Sequence, residues 1–396
     1  MNVEDAAQYI ESQPQLERFC TRCEQSKIIG FDTEFVSENR YRPELCLLQV
    51  ASDQEIAVID TLKVKDIRPF WKMLTEGEHI TVAHAAREEF LFCYRGFGQR
   101  PKKLMDVQLA AGFVGLDYPA SYSNLVSQVL GEYVSKGETR TDWKQRPLTD
   151  RQISYAVGDV VHLHDLYARL TKQMESLGRT EWYWNEIESW MDQLEKTEKD
   201  PQWHKVSGAS RLNRRSLAIL RELWFLRDAK AKEKNRSPKR IIPDDLLVEL
   251  AKRGSARPSH FKSIRGFENR TARGISDQIA TAIERGLSLK DSELPAKLEK
   301  SKSVNLGLVG QFLSTMMGVV CRNQHIAPTL VATVQEVREF AAWRMGQLKS
   351  KTPPDLAVGW RAEFIGDAID QALAGKIALR VENPKSDHPL AIEELE

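Results

Sequence analysis

Apolar residues recur at two different periods along the 396-residue chain, and the change of period divides it. After an N-terminal helix come three short β-rich runs, Lys27–Val36 (KIIGFDTEFV), Leu45–Ala51 (LCLLQVA) and Glu55–Asp60 (EIAVID). Their close connections predict an antiparallel meander. From about Ile67 helix and strand alternate: helix Pro69–Leu74, strand Ile80–Ala83, helix Ala86–Tyr94, then helical segments near Asp106–Val114 and Tyr122–Leu130. A meander that gives way to α/β alternation predicts an α/β domain with a mixed sheet and helices on its faces. Thr149 followed three residues later by Gln152 matches a capping box, which predicts one long helix through about Met174.

Residues 178–210 scatter Trp182, Trp184, Trp190 and Trp203 among charged residues. They predict a helix packed back on the first domain, then a polar linker. From Leu212 the period is purely helical, with Ile219, Leu220, Leu223 and Trp224 on one face. The expected organisation is an α/β domain over 1–195, a linker at 196–210, and a helical domain over 211–291. A second linker (292–304), a second helical domain (305–382) and an acidic, Pro-interrupted flexible tail (383–396) follow. The two helical domains read as a diverged pair. Each opens with a long amphipathic helix, passes a Pro-containing loop (Pro243; Pro328) and closes on an aromatic-bearing turn, Ile264-Arg265-Gly266-Phe267 or Gly359-Trp360-Arg361.

Charge sharpens this division. The whole chain carries only +1, but residues 211–290 hold 20 Lys+Arg against 9 Asp+Glu, a net +11, which leaves −10 elsewhere. An acidic body joined to a basic module suits a carboxylate-rich site beside a polyanion-binding surface, although a solvated helical bundle has the same composition. Residues 305–382 are near neutral, 8 cations against 7 anions. Five scattered cysteines, among them the lone pair Cys20 and Cys23, predict reduced thiols in a cytoplasmic protein. The polar, acidic N-terminus lacks the form of a secretory signal, and no apolar run approaches the roughly 20 residues of a membrane span.

Candidate chemistry lies in three acidic motifs. Asp32 and Glu34 alternate along the first predicted strand, so both project from one face. Two carboxylates that close repel unless a hard cation such as Mg²⁺ or Mn²⁺ lies between them. Tyr155 and Asp159 are i and i+4 on the capped helix and share a face. His84-Ala85-Ala86-Arg87-Glu88-Glu89 runs from strand into helix and offers one more acid. Each motif also has an ordinary structural reading: a solvent-facing strand end, a surface Tyr–Asp pair, or acids at a helix N-terminus.

Taken in order, D-x-E, an acid after H-A-A and Y-x-x-x-D form the pattern of DEDD exonucleases in their tyrosine subclass. Over residues 27–170 the chain resembles the bacterial ribonuclease D family, through FDTEFVSENRYRPELCLLQV, VAHAAREEF, LMDVQLAAGFVG and TRTDWKQRPLTDRQISYAVGDVVHLHDLY. Residues 211–290, and less clearly 305–380, resemble the helicase-and-RNase-D C-terminal (HRDC) domain.

The resemblance implies a ribonuclease H-like (DnaQ-like) exonuclease domain followed by two all-α HRDC domains. It implies 3′→5′ exoribonuclease action on RNA with a free 3′ end, such as tRNA precursors and other small structured RNAs, and release of nucleoside 5′-monophosphates. Asp32, Glu34, Glu89 and Asp159 would hold two Mg²⁺ or Mn²⁺ ions, with Tyr155 orienting the water. Thr33, Phe35 and His84 are candidate substrate contacts beside the acids, and Arg140, Asp142 and Trp143 either touch the strand or brace the domain. Asp106 is expected as a supporting acid. Arg211, Arg214 and Arg215 are candidate phosphate contacts in the basic domain, and the protein is expected as a monomer without membrane association.

One departure matters. Glu89 stands where the family usually has Asp, and Glu88 beside it is the other candidate for the third acid. That departure leaves open a catalytically weak RNA-binding protein, and a DNA 3′→5′ exonuclease of the same superfamily is the other alternative.

Overall fold

The computed structural model describes residues 7–134, 141–267, 270–298, 306–348 and 352–395. The chain separates into two compact units, one of Met1–Glu34, Leu45–Leu194 and Ser303–Glu396, the other of Phe35–Glu44 and Glu195–Lys302.

The first unit is built on a six-stranded sheet: β1 (Gln8–Ile10), β2 (Ile28–Val36), β3 (Glu44–Ala51), β4 (Ile56–Asp60), β5 (Ile80–Ala83) and β6 (Leu104–Asp106). The strand order is β1–β4–β3–β2–β5–β6. β3 and β4 pair antiparallel, while β1–β4, β2–β5 and β5–β6 pair in parallel, so the sheet is mixed as expected. Strand β1, absent from the sequence reading, has only three residues, too few to display a period.

Along β2 the side chains alternate between two cores. Ile29 and Phe31 join the core beneath α1 (Gln13–Cys23), α2 (Arg68–Glu76) and α3 (Arg87–Phe97). Cys20 and Cys23 are buried in that core, where burial pushes both thiols up to about 12, so neither has thiolate character. The opposite face is covered by α4 (Val107–Phe113), α5 (Tyr122–Leu130), α6 (Asp150–Val161), α7 (Leu163–Ser176) and α8 (Thr180–Lys199). There Gly30 lets α7 approach closely: a Cβ at that position would lie 3.0 Å from the Leu163 Cβ. The Thr149–Gln152 capping box is present, but the single long helix expected through Met174 is two. The turn ends at His162 (φ −96°, ψ 0°), where neither Gly nor Pro marks the break.

The region 306–395 completes this unit. α14 (Gly307–Asn323), α15 (Pro328–Val331), α16 (Val334–Arg344), α17 (Gly359–Arg361) and α18 (Asp367–Leu373) share one continuous core with α4, α5, α7 and α8. The region is not all-α. β7 (Ile377–Val381) pairs antiparallel with β8 (Leu390–Glu394), so the segment 383–396 expected as a flexible tail returns as a strand. Its partly buried Leu379 and Ile392 pack on the shared core, an apolar anchor obscured by the surrounding charges and prolines.

The second unit has its own core, formed by α9 (Arg214–Glu233), α10 (Pro238–Ile241), α11 (Asp244–Arg253), α12 (Arg270–Arg273) and α13 (Ser276–Ser288). Residues 196–210 are not a free linker: α8 continues to Lys199, and Val206 and Ala209 are buried in this core. The repeat has a different register from that read in the sequence. The four-residue helix opened by Pro328 corresponds to the one opened by Pro238, not to Pro243. Among the described residues no helix is long and apolar enough to cross a membrane.

Candidate active site

Asp32 and Glu34 lie on β2, on the face turned toward α6 and α7, because Phe31 between Gly30 and Asp32 takes the other side. Asp159 arrives from α6. Ligand oxygens of Asp32, Glu34 and Asp159 all fall within 4.8 Å of one another. Burial, then mutual repulsion, sets their protonation. Burial and the Asp159 charge hold the Asp32 carboxyl well above its ordinary value. Burial and the charge of Asp32 push Glu34 up to about 9, with smaller contributions from Asp159 and Glu89. Asp159 is pushed up to about 7 by burial, and the Tyr155 hydroxyl that donates to it opposes the rise. Three half-buried carboxylates this close repel one another, and a hard, oxygen-seeking divalent ion would neutralise them. The donor set therefore fits such a metal.

Glu89 stands beside this triad rather than in it. It is buried on the first turn of α3, and its Oε1 accepts from the Thr33 hydroxyl at 2.6 Å. The Asp32 charge reaches it and, after burial, helps hold its carboxyl high. Glu88 points outward, half-exposed, and pairs with Arg87. Of the two candidate acids, Glu89 is the one near Asp32 and Glu34.

The turn that delivers Glu89 is held by Asp106. Ala85 takes a positive φ of 54°. Asp106 accepts from the backbone N–H groups of Ala85 and Ala86 (both 3.0 Å) and caps α4 through Gln108 and Leu109. With all these bonds spent on backbone, Asp106 has a structural role. Its own N–H donates to the Tyr183 hydroxyl of α8 at 2.8 Å.

The remaining candidates divide. Thr33 is buried and spends its hydroxyl on Glu89. His84 places Nε2 3.0 Å from the Ala120 carbonyl and its ring edge-on to Tyr122. Phe35 is half-buried at the end of β2. Trp143 is buried, 6.0 Å from the Tyr155 ring centroid, whereas Arg140 lies outside the described residues. Asp142 turns the chain by accepting from the Lys144 N–H at 3.0 Å. Arg211 is exposed. Arg214 is tied to the carbonyls of Asp291, Leu294 and Pro295, and Arg215 to those of Gly286, Leu287 and Leu289. Arg215 thus closes the end of α13 and also pairs with the Asp291 carboxylate, and Arg214 braces the segment that follows that helix. Sequence reasoning missed Tyr122, whose phenol is raised by burial and then by the nearby Asp159 and Asp32 charges. No local motif links it to the acids.

A mixed sheet whose central strand carries two acids facing a Y-x-x-x-D helix defines a 3′–5′ exonuclease domain. The family model for 3′–5′ exonucleases matches residues 7–175, and the HRDC model matches residues 216–283. The chain is 32% identical to ribonuclease D of Bartonella henselae over 91% of this chain and 88% of that one. It is likewise 32% identical to ribonuclease D of Sphingobium indicum, over 93% and 95%. The fold matches Escherichia coli RNase D with a TM-score of 0.80 (24% identity, 93% and 99% covered). It matches the catalytic core of RRP6 from Trypanosoma brucei with 0.55 (20% identity, 71% and 79% covered). The chain belongs to the ribonuclease D family, and its activity is that of a 3′–5′ exoribonuclease.

Proposed function

We propose that this protein trims the 3′ ends of tRNA precursors and other small structured RNAs in the cytoplasm, acting as a monomer and releasing nucleoside 5′-monophosphates. The observation that supports this most is the convergence of Asp32, Glu34 and Asp159, with the Tyr155 hydroxyl donating to Asp159. These three carboxylates and Glu89 would hold two divalent ions, Mg²⁺ or Mn²⁺. When bound, such ions polarise the scissile phosphate and acidify water. Asp32, Glu34 and Asp159 gather the charge that the ions and the phosphate require. Thr33 orients the Glu89 carboxylate by donating its hydroxyl to it. Tyr155 orients the attacking water from its place beside Asp159. The exposed cations of the HRDC domain hold the RNA body through its phosphates.

A tRNA carrying a short 3′ trailer, incubated with Mg²⁺ beside a DNA strand of matched sequence, tests the reading. It predicts stepwise shortening of the RNA to the mature end and release of nucleoside 5′-monophosphates. Faster digestion of the DNA would favour a DNA exonuclease. No turnover of either substrate with Mg²⁺ or Mn²⁺ would make the protein an RNA-binding scaffold.

A further inference from the structure

The segment Thr141–Leu148, between α5 and α6, is anchored by a largely buried ion pair. The Arg146 guanidinium forks onto Asp60 at the end of β4, Nε to Oδ2 at 2.6 Å and Nη2 to Oδ1 at 2.8 Å. Nη2 also donates to the Cys46 carbonyl (3.0 Å), and Nη1 donates to the carbonyls of Trp143 and Gln145 (both 2.8 Å). All five guanidinium donors are thereby used. Asp60 has no exposed surface and is equally engaged: Oδ2 accepts from the Tyr9 hydroxyl at 2.7 Å, and Oδ1 from the Leu62 N–H at 3.1 Å. Burial alone would raise the Asp60 carboxyl, but the Arg146 fork and the Tyr9 hydroxyl outweigh it and hold it low.

Burying such a pair costs desolvation that apolar residues of the same size would avoid. In return, complete satisfaction of every donor and acceptor fixes one geometry. The fixed element is the backbone of Trp143, whose indole is 4% exposed. That indole lies 6.0 Å from the Tyr155 ring at an interplanar angle of 35°. The other end of the segment is anchored too, since Gln152 Nε2 on α6 donates to the Thr141 hydroxyl at 2.9 Å. Tyr155 is half-buried, with Trp143 beside its ring and its hydroxyl on Asp159. Without the indole the ring would lose the contact that selects this orientation.

We propose that Arg146 and Asp60 are positioning residues, which pin Trp143 beside Tyr155 and so fix where the tyrosine hydroxyl meets the Asp159 carboxylate. This rests on the reading of Tyr155 as part of the active site. It also gives Trp143 a role behind the tyrosine instead of on the substrate strand.

The test is a double-mutant cycle in the full-length protein, read as the single-turnover cleavage rate of a short 3′-labelled oligoribonucleotide at saturating Mg²⁺. Trp143→Leu is expected to slow cleavage about tenfold with KM within about twofold, because a misplaced group costs rate more than binding. In the Tyr155→Phe background the same substitution is expected to cost less than about twofold, since the hydroxyl it positions is gone. Asp60→Asn, which keeps the shape and removes the charge, should show the same absorption by Tyr155→Phe. It also provides the cycle if Trp143→Leu does not fold. A full tenfold cost in both backgrounds, or no cost in the wild type, would overturn the proposal. Wild-type turnover by Tyr155→Phe alone would instead overturn the assignment of Tyr155.

Discussion

The two helical regions after α8 open alike, with a long helix, a four-residue Pro-led helix and a helix of ten or eleven residues, yet they use their surfaces oppositely. Residues 211–290 enclose a core of their own and carry +11. Residues 306–395 share their core with the exonuclease domain, and residues 305–382 carry only +1. The second region is joined to the exonuclease domain by polar contacts as well. Arg361 and the Trp360 Nε1–H converge on Glu186 of α8, and the buried Arg179 donates to the carbonyls of Phe113, Gln324 and His325. Gly115, at φ +87°, passes so close to His325 that a Cβ would lie 2.8 Å from its backbone. A helical region that shares its core with another domain spends those faces on packing.

The strongest way to break this comparison is to isolate the two regions. Residues 195–302 alone should melt cooperatively, because the buried residues of their core, from Val206 to Ile283, all lie within them. Residues 303–396 alone should show no cooperative melt, because Leu313, Phe340 and Trp360 would lose Phe113 and Tyr183. A cooperative thermal transition of 303–396 by circular dichroism would abolish the distinction.

Glu186→Ala should destabilise the full chain by about 1–3 kcal/mol, since Arg361 and Trp360 would lose their shared acceptor. Burial raises the Glu186 carboxyl, but Arg361 and Trp360 more than offset it and hold it below its ordinary value. Its contribution is therefore present above the unfolded-state pKa and lost as the pH falls through the lower folded value. Glu186→Gln should flatten that acid limb in a series of thermal melts.

Salt dependence sharpens the contrast in charge. Reversing the exposed Lys252, Arg257 and Lys262 to Glu should flatten the log–log salt slope of tRNA binding by about one unit per lost phosphate contact. Reversing Arg322 and Lys376 in the second region should leave the slope unchanged. Arg215→Glu should chiefly lower the melting temperature, because that side chain closes the end of α13.

The metal-free site adds a stability trend with pH. Glu34 rises from 4.5 to about 9 on folding, so its ionisation costs stability. The metal-free protein should lose stability as the pH rises through that window, and Glu34→Gln should remove part of the slope.

Local periods made much of this legible. Alternation placed Asp32 and Glu34 on one face, i,i+4 spacing paired Tyr155 with Asp159, and the Thr149 cap located the start of α6. Features set by distant partners were hidden. Thr33 meets Glu89 across 56 positions and Arg146 meets Asp60 across 86, and neither side chain declares its partner. The same holds for Arg214 and Arg215, which bond carbonyls some 70 to 80 positions away and, for Arg215, the Asp291 carboxylate. The β7–β8 hairpin escaped notice because a two-stranded ribbon needs the core beneath it, and charge and proline dominate its sequence.

We propose that the acids around Asp32 form a metal-dependent centre that removes nucleotides from the 3′ end. Its most direct test is the release of nucleoside 5′-monophosphate from a 3′-labelled RNA, measured for the wild type in Mg²⁺, the wild type in excess EDTA, and Asp32→Ala in Mg²⁺. Release is expected from the first alone, with Asp32→Ala slower by more than about a hundredfold. Wild-type release by Asp32→Ala, or undiminished release in EDTA, would contradict it.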